Sequence, residues 1–186
     1  MSSLSKFLLA AGLAASALSS HAAPVIVAGT TATGSPEHDL ALLTDGAFPI
    51  NGTDWQHPST VWWVNGAGPT GTVLTFEFAQ NYTLQDVALT VDNNDDYVVE
   101  TSLDGSTWTT LFTVSAANGP TGWGLDNFSS TLGDPTYAAD IDFAPTSAKF
   151  ARIYALNGDG LYSIDLSAPG YCCVSFEKEV VDWCCD

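Results

Sequence analysis

The chain has 186 residues, 46% of them hydrophobic, with six Trp and nine Phe, and it sets 21 Asp and Glu against four Lys and Arg for a formal net charge of -17. That apolar content is too rich for a disordered segment, and the scarcity of basic side chains argues against nucleic acid or an anionic membrane, because phosphate is bound by clustered Lys and Arg. Cations are the natural small partners of such a surface, and a charged fraction of 13% suits strands whose wet faces carry Thr and Ser.

Residues 1–22 have the layout of a secretory signal peptide. Lys6 is the only charge in the first twenty residues, Phe7 to Leu18 is a short apolar run, and Ser20-His21-Ala22 places small residues where a signal peptidase reads them, with a cut after Ala22 or Ala23. The run is shorter than the roughly 20 residues of a membrane-crossing helix. The expectation is a secreted, periplasmic or cell-surface protein with one domain over residues 23–166.

Within that domain the strand period dominates. Leu74, Phe76 and Phe78 alternate with Thr75 and Glu77, and Val87, Leu89 and Val91 repeat the pattern. Asp92-Asn93-Asn94-Asp95-Asp96 precedes a strand from Tyr97 to Glu100, and Asp104-Gly105-Ser106 precedes another from Trp108 to Leu111. Asn and Asp bond their own backbone and Gly has no Cβ to clash, so both clusters are turn chemistry. Leu89 to Leu111 therefore reads as a three-stranded meander with solvated turns. A late strand from Lys149 to Ala155 is apolar on both faces apart from Lys149 and the snorkelling Arg152. No stretch after residue 24 has a helical period, and several strands separated by turns argue for an antiparallel sandwich or barrel. Trp62, Trp63 and Trp108 are expected in the core or packed on a sheet.

Residues 167–186 stand outside this pattern and hold all four cysteines, as Cys172-Cys173 and Cys184-Cys185. Adjacent cysteines bridge each other only under strain, and the spacing of a zinc ribbon is missing. Two disulfides between the pairs suit an oxidising compartment, with the pairing open. Three Asn-x-Ser/Thr sites, at Asn51, Asn81 and Asn127, carry sugars only in a host that glycosylates them.

Several motifs follow one another in a familiar order. They are Leu43-Thr44-Asp45-Gly46 with Trp55, Trp62-Trp63, the strand from Val73 to Phe78, the turn from Asp92 into Tyr97-Val98-Val99-Glu100, and Ser102-Leu103-Asp104-Gly105-Ser106-Thr107-Trp108. Phe150-Ala151-Arg152-Ile153-Tyr154 and Gly160-Leu161-Tyr162-Ser163-Ile164 close the series. Over roughly residues 40 to 165 this order resembles the discoidin, or coagulation factor 5/8 type C, domain, and Trp123-Gly124-Leu125-Asp126 is similar to a stretch of its exported bacterial versions. The resemblance implies an all-β antiparallel jelly-roll β-sandwich of the galactose-binding-like kind, with binding loops at one end. Members are usually non-catalytic adhesion modules for glycans, proteins or phospholipid surfaces. Exported relatives often end in a Pro-Glu-Pro motif, an apolar helix and a basic tail, an ending this chain does not show.

Many members hold a structural calcium ion in the loop that here begins at Asp45. The pattern implies Ca2+ ligands at Asp45 and around Asn51 and Thr53, with Asp165 as the late acid, although Leu166 stands where the family more often has Glu. Calcium takes six to eight oxygen ligands, which a flexible acidic loop supplies. The cluster from Asp92 to Asp96 lacks the ligand spacing and distant Glu of an EF-hand loop and is read as a turn.

A sugar presents apolar C–H faces and hydroxyl edges, so an exposed aromatic with a few amides or carboxylates is the minimal recognition set. Trp123 lies among Gly119, Pro120, Gly122 and Gly124, followed by Asp126 and Asn127, and His57 and Trp55 occupy the long early loop. The three His residues, His21, His38 and His57, show no metal-binding pair spacing and no nucleophile motif. Abundant acids make a chance glycosidase pair cheap. The sequence thus points away from an enzyme and towards an exported, non-catalytic module recognising carbohydrate at the cell surface or in the extracellular matrix. The alternative is a structural adhesion protein acting through protein contacts. A lipid surface is disfavoured, since only Lys149, Arg152 and Lys178 remain after the leader.

Overall fold

A computed structural model of the chain describes residues 23–25, 27–34, 36–45, 47–64, 68–92, 95–119, 121, 123–156, 169–171 and 173–178. The strands are β1 (Ala23–Pro24), β2 (Val27–Ala32), β3 (Trp62–Val64), β4 (Leu74–Asp92), β5 (Tyr97–Ser102), β6 (Thr109–Val114), β7 (Leu125–Ser129), β8 (Thr146–Ala155), β9 (Pro169–Tyr171) and β10 (Cys173–Lys178). Every pairing between them is antiparallel, and the only helical elements among the described residues are 3-10 turns at Leu40–Leu43, Ala116–Asn118 and Ala139–Ile141. The fold is the all-β antiparallel sandwich that the alternating strands predicted.

β4 organises it. Its 19 residues were expected as two strands, but the chain runs on through a bulge between Glu77 and Tyr82, where five steps on β4 match two on β8. The first part, Leu74 to Phe78, pairs with β2 and β8, while the last part, from Leu84 onward, pairs with β10 and β7. One strand therefore belongs to both layers. Leu74, Phe76 and Phe78 from its first part share a single core with Val87, Leu89 and Val91 from its last, joined by Trp63, Tyr97, Phe112, Phe128 and Ile153. Each such fully buried side chain contributes on the order of 1.5–3 kcal/mol relative to exposure. A small second cluster of Val73, Val98 and Tyr154 lies apart from it.

Two expectations change here. Leu89 to Leu111 is not a meander: β5 pairs with β6 and β8, never with β4, so the segment after Asp92 crosses between layers and only β5–β6 is a hairpin. Two of the three acids in the Asp92–Asp96 cluster are accordingly not solvated. Asp92 and Asp95 are buried, and the Tyr97 hydroxyl donates to Asp92 Oδ1 at 2.5 Å. A turn cluster says that the chain turns but not to which layer it goes. The last twenty residues also differ from expectation, since β9 pairs with β3 and β10 lies along β4 from Leu84 to Thr90. Residues 1–22, Gly160 to Asp165 and the second cysteine pair lie outside the described residues.

The β5–β6 turn behaves as its sequence implies. Asp104 Oδ1 accepts from the backbone of Ser106 at 2.8 Å and of Thr107 at 2.7 Å, and Ser102 Oγ lies 3.0 Å from the same oxygen. These bonds, that from Thr107 foremost, hold its carboxyl well below the usual carboxylate range. A group with a depressed folded pKa contributes stability above its unfolded value, near about 3.9, and loses it as pH falls towards the folded value. Asp104→Ala is therefore expected to lower the Tm at pH 7 by a margin that shrinks steadily below about pH 5. Melts of both proteins between neutral and acid pH check this; a constant gap would contradict it.

Candidate functional site

Two loops meet where β4 ends. Residues 44–61 arrive from the Leu40–Leu43 turn and residues 115–124 from β6, and β7 begins between them. Gly52 N donates to Leu125 O at 2.7 Å and Leu125 N donates to Thr53 O at 3.0 Å. One step along, Asn127 N donates to Asn51 Oδ1 at 2.9 Å and Asn127 Nδ2 to Pro49 O at 2.8 Å, while the Thr90 hydroxyl of β4 donates to Asn127 Oδ1. Asn127 thus ties both strands to the early loop.

The approach is close enough to require glycine. Gly124 has φ +74°, and a Cβ built there would lie 2.7 Å from Thr53 O and 3.1 Å from Gly52 O. Only a residue without Cβ fits both the left-handed backbone and the contact. Directly beneath, Asp126 is fully buried, because its register opposite Val91 turns it to the face that carries the core. Its Oδ1 accepts from Thr121 N at 3.1 Å and Thr121 Oγ1 at 2.6 Å, and the same hydroxyl lies 3.0 Å from Trp123 O. Asp126 Oδ2 has no partner among the described residues.

On this base stands Trp123, 61% exposed, and the apposed loop presents Ile50, 80% exposed, with Phe48 beside it in sequence. The indole is anchored through its backbone while its ring remains in water. An aromatic face fixed in this way suits the C–H face of a sugar.

The expected site residues divide accordingly. Trp123 is at the surface as expected. Asn127 is half-buried with its amide spent on Pro49 and Thr90. Asp126, expected to bond ligand hydroxyls, is instead an internal brace, since a fully buried carboxylate meets no solvent-borne ligand. Trp55 is half-buried, edge-on to Trp62 with centroids 5.4 Å apart, and His57 is exposed in a turn of its own with Nδ1 2.7 Å from Ser59 Oγ. The loop-joining hydrogen bonds described above run instead through Asn51, Gly52, Thr53, Leu125 and Asn127. Ile50 and Phe48 were not singled out from sequence, because isolated apolar residues in a loop carry no period.

The calcium set is likewise engaged elsewhere. Asp45 Oδ1 accepts from Ala47 N at 2.8 Å, Asn51 Oδ1 from Asn127 N, and the Thr53 hydroxyl donates to Ile50 O at 2.7 Å. Each of these oxygens keeps a lone pair that could face a cation, and Asp45 is the one charged group of the three; Asp165 lies outside the described residues. Among those residues no three His, Cys, Asp or Glu group to hold a metal. With one carboxylate in the described set, backbone and amide carbonyls would have to supply most of the six to eight oxygens of a calcium shell, which favours weak binding at most. Calcium added after chelation is expected to leave the Tm unchanged, and a rise of several degrees would restore the Asp45 loop as a metal site.

No family model matches the chain, and no curated protein matches it. Among solved structures it is similar to the CBM32 of AlyQ in complex with 4,5-unsaturated mannuronic acid, at 15% identity over 82% of this chain and 96% of that one, with a TM-score of 0.47. It is similar to CBM32-2 of GH31 bound to GalNAc, at 14% identity over 81% of this chain and 98% of that one, with a TM-score of 0.48. A third is CpGH89CBM32-5 from Clostridium perfringens in complex with GalNAc-β-1,3-galactose, at 17% identity over 80% and 94%, with a TM-score of 0.43. These three structures are carbohydrate-binding modules.

Proposed function

We propose that the protein is an exported, non-catalytic carbohydrate-binding module whose ligand stacks on Trp123. The observation that carries this reading is an indole 61% exposed on a loop that is hydrogen-bonded and packed at backbone level on both sides. Tryptophan is highly buried on average, and holding one outward on a rigid base lowers the ordering cost of binding a ring against it. The signal-peptide layout of residues 1–22 supports export.

Charge narrows the ligand. Lys149 is 3.3 Å from Glu77 and Arg152 is 2.5 Å from Glu100, so the two cations whose side chains are described are both paired. The surface left over is acidic and repels anionic polymers. A neutral glycan fits best.

Trp123→Ala is expected to weaken retention of a neutral glycan about 30-fold or more, the loss of a central aromatic anchor worth about 2 kcal/mol. Its Tm should move little, because the side chain is in water. A glycan array followed by affinity electrophoresis and melts of both proteins gives the answer. Unchanged retention with a large fall in Tm would assign Trp123 to packing and end this reading; capture of a protein partner with no glycan retained would favour the adhesion alternative.

A further inference from the structure

A groove lies at the end of the sandwich opposite Trp123. β5 begins at Tyr97 beside the end of β4 and finishes at Ser102, six residues or about 17–20 Å further on. There the β5–β6 turn, the segment around Phe143 and the start of β8 enclose a groove of about 640 Å³. Small-molecule sites occupy roughly 300–1,000 Å³, so this one has room for more than a single sugar ring.

Its lining is that of an amphipathic ligand. Leu103 is 58% exposed, and Phe143, stacked on Phe112 with centroids 5.9 Å apart, holds its ring in place. Around them Thr109, Thr110, Ser147 and Asp142 line the groove, and among the described residues none of these four side chains is spent on a hydrogen bond. Hydroxyls and a carboxylate with unused capacity beside apolar carbon match the alternating hydroxyl edges and C–H faces of a saccharide. No Lys or Arg lines the groove, while Asp104 and Asp142 do, so an anionic ligand is repelled.

We propose that this groove is a second carbohydrate site, for a neutral oligosaccharide, which makes the protein bivalent with its two sites facing away from each other. The ligand class rests on the carbohydrate reading given for Trp123, whereas the place and the lining are independent of it. Sites so arranged cannot both grip one short oligosaccharide, and they join separate chains or distant stretches of one polymer.

Calorimetry with short soluble oligosaccharides of glucose, mannose, galactose and xylose tests the proposal on the parent, Trp123→Ala, Ala144→Trp and the double variant. Ala144 is exposed and lines the groove, so a Trp there fills it. The parent is expected to take two ligands, each single variant one and the double variant none, with the Thr109, Thr110 and Ser147 amides shifting on titration of Trp123→Ala. Should Ala144→Trp fail to fold, Thr109→Ala with Thr110→Ala, both exposed, is expected to weaken the groove alone about tenfold. One ligand in the parent, lost in Trp123→Ala and untouched by the groove variants, overturns the groove and leaves the Trp123 site standing. The reverse pattern keeps the groove and removes Trp123, and no binding of any probe overturns both.

Discussion

Gly124→Ala is expected to lower the Tm by about 4–20 °C and to abolish glycan retention even though Trp123 is intact. An alanine at φ +74° leaves the preferred backbone region, at a cost of about 1–2 kcal/mol. Its Cβ also meets Thr53 O at 2.7 Å and Gly52 C at 3.0 Å, backbone atoms of two residues that are each hydrogen-bonded to Leu125, through Thr53 O and Gly52 N. Forcing extra atoms into such a contact costs a further 1–3 kcal/mol or so, and at this chain length each kcal/mol moves the Tm by about 2–4 °C. The relaxation open to the chain is to part the two loops, which sets the indole loose. Thermal melts with affinity electrophoresis check both effects. A stable Gly124→Ala that still binds would show that the loop contact is dispensable.

Asp126 gives the second large effect and separates a brace from a ligand contact. Asp126→Ala removes the acceptor for two groups of Thr121 and leaves a void in a fully buried position. Losing a buried acceptor costs about 1–3 kcal/mol, and with the void the expected loss is about 3 kcal/mol. Asp126→Asn keeps one carbonyl oxygen for Thr121 and replaces the carboxylate oxygen that has no partner, so its stability should lie within about 1 kcal/mol of the parent. Binding should follow stability, lost in the Ala variant and kept in the Asn variant. Were Asp126 instead a direct contact, the Asn variant would bind weakly at an unchanged Tm.

Much of this fold was legible wherever a period of two was present. Leu74, Phe76 and Phe78 announced a half-buried strand, and Asp104-Gly105-Ser106 announced the turn between β5 and β6. The continuity of β4 was hidden because Gln80 and Asn81, polar residues of the kind that end strands, sit in the bulge between its two parts. The crossover after Asp92 was hidden for a related reason. Turn residues report local backbone angles, whereas pairing partners are set by distant contacts. At the site, Trp123 was found because glycines surround an aromatic residue, while the burial of Asp126 depends on a register with Val91 that no local pattern encodes. Asn51 and Thr53, read as metal ligands, share their oxygen chemistry with a clamp, and only geometry separates the two uses.

The clamp also bears on solubility. The outward-facing N–H groups of β7 all have partners: Leu125 on Thr53, Asn127 on the side chain of Asn51, and Ser129 on Thr136 at 2.9 Å. A strand that would otherwise offer a row of open donors to a neighbouring molecule is covered at Leu125 and Asn127 by the loop that faces Trp123, and at Ser129 by the segment that follows the strand. Shortening residues 49–53 to reshape specificity would therefore expose a sticky edge, and concentration-dependent association would be the first symptom. The loop that backs Trp123 thus doubles as a guard against self-assembly.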